Sequence, residues 1–195
     1  LVNYDVLQDA LTCGDRGAGA APAGHRENAV CLLLFESPDT TVLSILKTDS
    51  EGYPWRDDVA LPGGRIESED GGAAGAALRE LHEELGIPPS HVDVLGSLGH
   101  FQTRGTKNDL EVIVARWTRR STLRIDPREV AQVLKLPLSD LAAFHKRAGF
   151  HERSAPDLGD ELIYELTDAR VWGVTARILH DFLDLISKPG IVERG

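Results

Sequence analysis

The feature that most narrows what this chain can fold into is the segment from Leu61 to Ile87. It opens on Leu61-Pro62-Gly63-Gly64, a tight turn, and leads into the clearest amphipathic helix of the sequence, residues 73 to 86. There Ala74, Ala77, Leu78, Leu81 and Leu85 share one face, and Gly86 is a natural stop. A helix with one apolar stripe needs a surface to cover, and the flanking sequence supplies strands. Ala29 to Phe35 is an apolar run of seven residues suited to a buried strand. Thr41 to Leu46 is a second, separated from the first by the turn-prone Ser37-Pro38-Asp39. Val92 to Leu98, Leu110 to Trp117 and Glu129 to Leu136 read as three more, and Leu138 to Ala148 suits a helix. Val171 to Ile186 places Trp172, Ala176, Ile178, Leu179, Phe182 and Leu185 at helical spacing. Strands come first, a helix interrupts them and helices close the chain, which is an α+β pattern more than a regular βαβ alternation.

Ahead of the first strand, residues 2 to 11 suit a short amphipathic helix with Val2, Val6, Leu7 and Leu11 roughly on one side. Residues 14 to 24 are a Gly/Ala/Pro stretch with almost no side chains to bury, and read as a flexible connector. The expected organisation is therefore a helical arm with its connector over 1–24 and one compact domain over 25–195.

Charge and cysteine content narrow the function. Thirty-one Asp and Glu stand against 21 Lys and Arg, a formal net charge of −10. Such a chain has no general attraction for a nucleic acid backbone or an anionic membrane, and reaches an anionic substrate only through a local device such as a metal ion or an Arg pocket. The seven-residue apolar run is far short of the roughly 20 residues of a membrane-spanning helix. Two cysteines, Cys13 and Cys31, supply neither a disulfide framework nor a cysteine zinc site. The expectation is a cytoplasmic protein with no nucleic acid or membrane partner, and a homodimer stays open.

The chemistry concentrates on the helix. Glu80, Glu83 and Glu84 follow the i, i+3, i+4 spacing, so their carboxylates project from one side. At about 100° per residue that stripe lies beside the apolar face instead of opposite it. Three carboxylates so close repel one another unless something cationic joins them. Arg79, four residues before Glu83, neutralises part of the charge, and the remainder invites a hard divalent cation, Mg²⁺ or Mn²⁺. A solvated acidic face is the plainer alternative. Against it stands the context: a Pro-Gly-Gly turn ahead, Arg-Glu at the head of the stripe and Gly86 at its end. Gly63 and Gly64 permit a backbone geometry closed to other residues and let a carbonyl approach the same cation.

This arrangement resembles the Nudix box, Gly-x5-Glu-x7-Arg-Glu-x-x-Glu-Glu-x-Gly, whose family cleaves diphosphate linkages in nucleoside diphosphate derivatives. Arg79-Glu80-Leu81-His82-Glu83-Glu84-Leu85-Gly86-Ile87 matches the second half at every defined position. In the first half Asp70 stands in place of the first Glu, and eight residues separate it from Arg79. The resemblance, covering roughly residues 26 to 187, implies a Nudix-like α/β/α sandwich with a mixed sheet. It implies Glu80 and Glu84 as main ligands of Mg²⁺ (or Mn²⁺), with Glu83 nearby, the Gly63 carbonyl contributing and Arg79 orienting the glutamates. Glu129, in Arg128-Glu129-Val130 ahead of Leu136-Pro137-Leu138, is similar to the family's distal carboxylate, as ligand or general base. Glu83 is the competing base, and a surface loop Glu is the plainer reading of residue 129. Asp70 and Val171-Trp172-Gly173-Val174-Thr175-Ala176 look like the coenzyme A diphosphatase branch, which implies coenzyme A or a derivative as substrate. The region from Lys47 to Pro62 departs from that branch, so ADP-ribose or another nucleotide sugar or dinucleotide competes. A non-catalytic nucleotide-binding module is the alternative from another class, and it would be expected to lose residues of the stripe, all of which are present.

Among the remaining candidates, Arg56, Arg65 and Arg104 lie in or beside expected loops where a cation could meet a substrate phosphate. Trp55 could stack on a base. His82 falls on the outer side of the helix, His100 is open between substrate contact and plain strand residue, Cys31 reads as core, and Trp172 reads as packing.

Overall fold

Alternation within the apolar run sets the architecture. In a computed structural model that describes residues 1–13, 22–48 and 59–192, the run lies in β1 (Arg26–Glu36) at the centre of a seven-stranded mixed sheet. Ala29, Cys31, Leu33 and Phe35 point into one core cluster, while Val30, Leu32 and Leu34 point into another. A strand covered on both faces has no polar side, hence the unbroken run.

On one side of β1 lies β6 (Asn108–Trp117), parallel, followed by antiparallel β5 (Val92–Gln102). On the other side β1 forks. Its second half pairs antiparallel with β2 (Thr40–Lys47), and its first half with β4 (Gly63–Arg65). β3 (Val59–Ala60) continues on β2, and β7 (Val130–Pro137) borders β2's far edge. The fork matters for function, because it opens the sheet where Lys47, Gly63 and Gly64 come together. The five strands expected from sequence are all present. The short β3 and β4 sit inside a stretch that reads as a turn, and a small ribbon, β8 (Tyr164–Glu165) with β9 (Arg170–Val171), is additional.

Helices cover both faces, giving the expected α/β/α sandwich. α2 (Ala73–Leu85) packs on the face bearing Cys31 and Leu33. The opposite face receives α1 (Tyr4–Thr12), α3 (Leu138–Arg147) and α5 (Gly173–Ile186), with the short α4 (Ala155–Leu158) beside them. α5 buries Ile178, Leu179, Phe182 and Leu185, each worth about 1.5 to 3 kcal/mol of transfer free energy. Among the described residues no helix is long and apolar enough to cross a membrane.

The N-terminal helix differs from the arm expected ahead of a domain at 25–195. Leu7 and Leu11 are fully buried in the α5-side cluster, Val2 bridges to Val192, and the Asn3 N–H donates to the Ile191 carbonyl at 2.7 Å. Tyr4 Oη donates to Glu36 Oε1 at 2.7 Å, and the Arg116 guanidinium lies over its ring. An amphipathic stripe of this kind needs cover, and β5 supplies it. A boundary at residue 24 divides no core. The stretch 14–21 of the expected connector, and the loop 50–58 with Trp55 and Arg56, lie outside the described residues.

Candidate active site

α2 positions the carboxylates. Its buried side is Ala73, Ala76, Ala77, Leu81, Glu84 and Leu85, with Ala74 and Leu78 only partly covered. The apolar face is thus turned by about one position from the expected one, and Glu84 comes inside with it. The Glu84 carboxylate is 1% exposed. Its Oε2 accepts the Gly63 N–H at 3.1 Å, and its Oε1 lies 3.4 Å from Lys47 Nζ. Burial, aided by the Glu80 charge, pushes its pKa from 4.5 up to about 7, against the pull of Lys47. Burial also raises Glu80, with the charges of Glu83 and Glu129 adding to the shift.

The glycines before the helix are there because of close approach. A Cβ on Gly64 would stand 2.2 Å from Glu80 Oε1, and one on Gly63 only 2.3 Å from the Ala29 carbonyl oxygen. Any other residue at 64 would displace the carboxylate. The contact Gly63 makes with the stripe runs through its N–H.

Arg79 organises the rest. Its Nε and Nη2 reach both oxygens of Asp70 at 2.8 and 3.1 Å, and Nη2 also donates to the Arg65 carbonyl at 2.8 Å. Nη1 donates to Glu80 Oε1 at 2.9 Å and to Glu83 Oε2 at 3.0 Å. A planar fork with five donors suits this clamp where an ammonium would not. Asp70 therefore has a definite place: from the turn Ser68–Asp70 it receives Arg79, and that hydrogen bond holds its carboxyl below the usual range. It also accepts the Glu67 N–H at 2.8 Å.

Glu129 arrives by backbone bonding. The Arg124 and Asp126 N–H groups donate to the Leu85 and Glu84 carbonyls at 2.8 and 3.0 Å, docking this stretch on the end of α2. The Thr48 N–H, from the end of β2, donates to the Glu129 carbonyl at 3.0 Å. The Glu129 side chain is exposed, and its charge acts on Glu80.

Beside these groups, on the α5 side of the fork, a cleft of about 710 Å³ opens. Lys47, Leu61, Gly63 and Gly64 line it where it meets the carboxylates, and Arg104, Trp172 and Arg177 line it farther out. Trp172, read as packing from sequence, is 46% exposed here. It precedes α5 instead of lying on its apolar stripe, which leaves nearly half of it open. Arg104 is exposed and paired with Asp160, and Arg177 donates to the Gln102 carbonyl. Burial, with the Arg104 charge next, holds Arg177 below its ordinary pKa.

Of the residues singled out by sequence, Arg79, Glu80, Glu83, Glu84 and Gly63 come together, with Glu129 within electrostatic reach. Arg104 stands at the cleft. Arg65 is exposed beside the Arg79 network and does not line the cleft; what it brings to the network is its carbonyl. His82 is exposed, and Cys31 is in the core. His100 is a half-buried strand residue whose Nδ1 lies 2.5 Å from Asp109 Oδ2. Lys47 and Arg177 were missed, because lone cations at the end of a strand and on a helix carry no spacing signal.

The NUDIX domain family model matches residues 24–158. Nudix hydrolase 22, chloroplastic, of Arabidopsis thaliana is 31% identical over 79% of this chain and 53% of its own length. Nudix hydrolase 15, mitochondrial, of the same plant is 32% identical over 77% and 55%. The chain thus spans about half the length of these two curated relatives. Uncharacterized Nudix hydrolase NudL of Photorhabdus laumondii is 29% identical over 80% of this chain and 82% of its own. Among solved structures, a C. elegans Ap4A hydrolase binary complex covers 63% of this chain and 89% of that one with a TM-score of 0.50 at 14% identity, a likeness of fold alone.

Proposed function

The chain belongs to the Nudix family, and from that premise we propose that it is a pyrophosphohydrolase, using Mg²⁺ or Mn²⁺ to cleave the diphosphate linkage of a nucleoside diphosphate derivative. One observation carries this reading: Gly63 and Gly64, against which Glu84 and Glu80 pack, also line the cleft. A ligand in the cleft would therefore present its diphosphate to the carboxylates across two residues without side chains.

The donor set fits a hard cation. Glu80 and Glu84 are oxygen donors pushed toward their neutral forms by burial and by neighbouring carboxylates, a cost that a bound cation removes. Glu80 and Glu84 would hold it, with Glu83 and the Gly63 carbonyl beside them. Such an ion supplies charge neutralisation at the diphosphate and acidifies water. Arg79 keeps Glu80 and Glu83 oriented through its clamp on Asp70. Glu129 accepts the proton of the attacking water at its carboxylate. Glu83 is the weaker candidate, because its Oε2 is already engaged by Arg79 Nη1 at 3.0 Å.

For the substrate, the reading is a coenzyme A-type molecule. Its third phosphate suits Arg104 and Arg177, which line the same cleft, and its adenine suits the exposed Trp172. ADP-ribose, with a diphosphate and an adenine but no third phosphate, is the competitor. The test compares kcat/KM for coenzyme A, dephospho-coenzyme A, ADP-ribose and NADH, with Mg²⁺ and with a chelator. The expected result is metal-dependent cleavage, with coenzyme A ahead of its dephosphorylated form by about 5- to 150-fold for one charge-assisted contact. A lead for ADP-ribose overturns the substrate and leaves the hydrolase. Binding of these nucleotides without cleavage, under Mg²⁺ or Mn²⁺, overturns the hydrolase in favour of a binding module.

A further inference from the structure

On the other face of the sheet from α2, two buried histidines and an aspartate converge between α3 and α5. His145 is 5% and His180 1% exposed, whereas the Asp184 side chain is 44% exposed and opens the cluster to solvent. One ligand-type atom from each lies within 4.8 Å of the other two. His180 and Asp184 are one turn apart on α5, and His145 comes from α3.

The hydrogen bonds around His180 decide where its lone pair points. His180 Nε2 lies 2.9 Å from the Arg153 carbonyl oxygen and 3.2 Å from that of Phe150. Carbonyls only accept, so Nε2 carries the proton, and in the neutral ring the lone pair sits on Nδ1. Nδ1 in turn faces carboxylates: Asp181 Oδ1 at 3.1 Å and Asp184 Oδ2 at 3.6 Å. A lone pair against two carboxylates is repulsive, so a cation belongs between them. At His145 the far nitrogen meets a hydroxyl, which accepts from Nδ1–H in the tautomer that turns the Nε2 lone pair toward Asp184. This Nδ1 lies 2.9 Å from Tyr164 Oη, and Nε2 lies 3.0 Å from Asp184 Oδ1. Burial favours the neutral ring of His145, which is the form that ligates.

From this geometry we propose that His145 Nε2, His180 Nδ1 and the Asp184 carboxylate form a second divalent-cation site, suited to zinc, separate from the glutamates of α2. Imidazole and carboxylate donors select a borderline transition metal over Mg²⁺. Adjacent donors of a tetrahedral zinc with bonds near 2.05 Å are about 3.3 Å apart, and the Asp184 oxygens stand 3.0 and 3.6 Å from the two nitrogens. Both rings have their far nitrogen engaged, by Tyr164 Oη and by backbone carbonyls, which holds each ring in the orientation a ligating histidine needs. Asp181, half-exposed beside them, or water completes the four positions. The ion would tie α3 and the Phe150–Arg153 turn to α5.

The test uses the full chain, stripped of metal, titrated with Zn²⁺ under excess Mg²⁺ and followed by calorimetry, with Co²⁺ absorption as a second probe. The expected result is one Zn²⁺ equivalent present in wild type and in Glu84→Gln, and absent in His145→Ala and in Asp184→Asn. Tetrahedral Co²⁺ bands should follow the same pattern, and Zn²⁺ should raise Tm only where the equivalent is retained. Tyr164→Phe should weaken Zn²⁺ binding by about 10- to 100-fold without removing it. Because the Asp184 carboxylate is half-exposed, Asp184→Asn keeps the comparison alive if His145→Ala does not fold. Absence of Zn²⁺ uptake in wild type, or an unchanged equivalent in Asp184→Asn, overturns the site and leaves a protonated His180 as the cation between the carboxylates.

Discussion

Glu84→Gln should make the metal-free protein more stable at pH 8 while removing its catalysis. In the folded chain the Glu84 pKa is raised from 4.5 to about 7, chiefly by burial. Between those values the folded state holds a proton that the unfolded state has released. Its contribution to stability is therefore complete below about pH 4.5 and is lost as pH rises through about 7. The displacement corresponds to about 3 kcal/mol at roughly 1.4 kcal/mol per unit. Glutamine is neutral throughout and still accepts the Gly63 N–H, but it gives Lys47 no counter-charge. Discounting for that leaves a gain of about 2 kcal/mol at pH 8, or about 4 to 8 °C in Tm for a chain of this size. The assay is thermal and urea unfolding of both proteins in chelator between pH 4.5 and 8. The two curves should coincide at the acid end and separate as pH rises. Added Mg²⁺ should then stabilise wild type and not the variant, and kcat of the variant should fall by several orders of magnitude. A variant no more stable than wild type at pH 8 would refute the reasoning, because it would mean that the buried charge costs nothing that a cation has to offset.

Three further outcomes follow from the geometry. Glu129→Gln should lower kcat far more than it changes KM; if it leaves kcat intact while Glu83→Gln abolishes turnover, the base belongs on the helix. Trp172→Ala, at a side chain 46% exposed, should leave Tm unchanged and raise KM about tenfold through loss of one base stack of about 1 to 3 kcal/mol; an unchanged KM would move the base elsewhere in the cleft. Leu7→Ala should cost about 2 to 5 kcal/mol, the range for a fully buried leucine, and an unchanged unfolding midpoint would restore the N-terminal helix to a free arm.

What could be read from the sequence was whatever repeats at a fixed period. Ala29 to Phe35 announced a strand covered on both faces, because only a chain buried on two sides dispenses with polar residues. The α2 stripe declared itself by i, i+3, i+4 spacing, and Gly86 by its position after the last apolar residue. The N-terminal helix was visible for the same reason, but its destination was not. Leu7 and Leu11 say that a face must be buried; that β5 and the Ile191 carbonyl receive it depends on where the chain ends fall in space. Periodicity reports the need for a partner and is silent about the partner's identity.

The site divides along the same line. Its carboxylate half, the proposed metal site, sits on a single helix, so one stretch of sequence carries both the residue types and their spacing. Even there the rotation of the helix was not legible: the expected apolar face omits Glu84, and burying it turns an acidic surface stripe into a carboxylate with a pKa near neutrality. The cleft proposed for the substrate is lined by Lys47 on β2, Arg104 after β5, and Trp172 and Arg177 at the start of α5, residues scattered over more than half of the chain and individually ordinary. The forked sheet makes them a site, and the fork comes from β1 exchanging β2 for β4 partway along its length. The proposed catalytic groups are thus fixed by local helix geometry and the proposed specificity groups by tertiary assembly. On that proposal, substitutions on the cleft's outer wall should change which diphosphate is accepted without disturbing the carboxylates of α2.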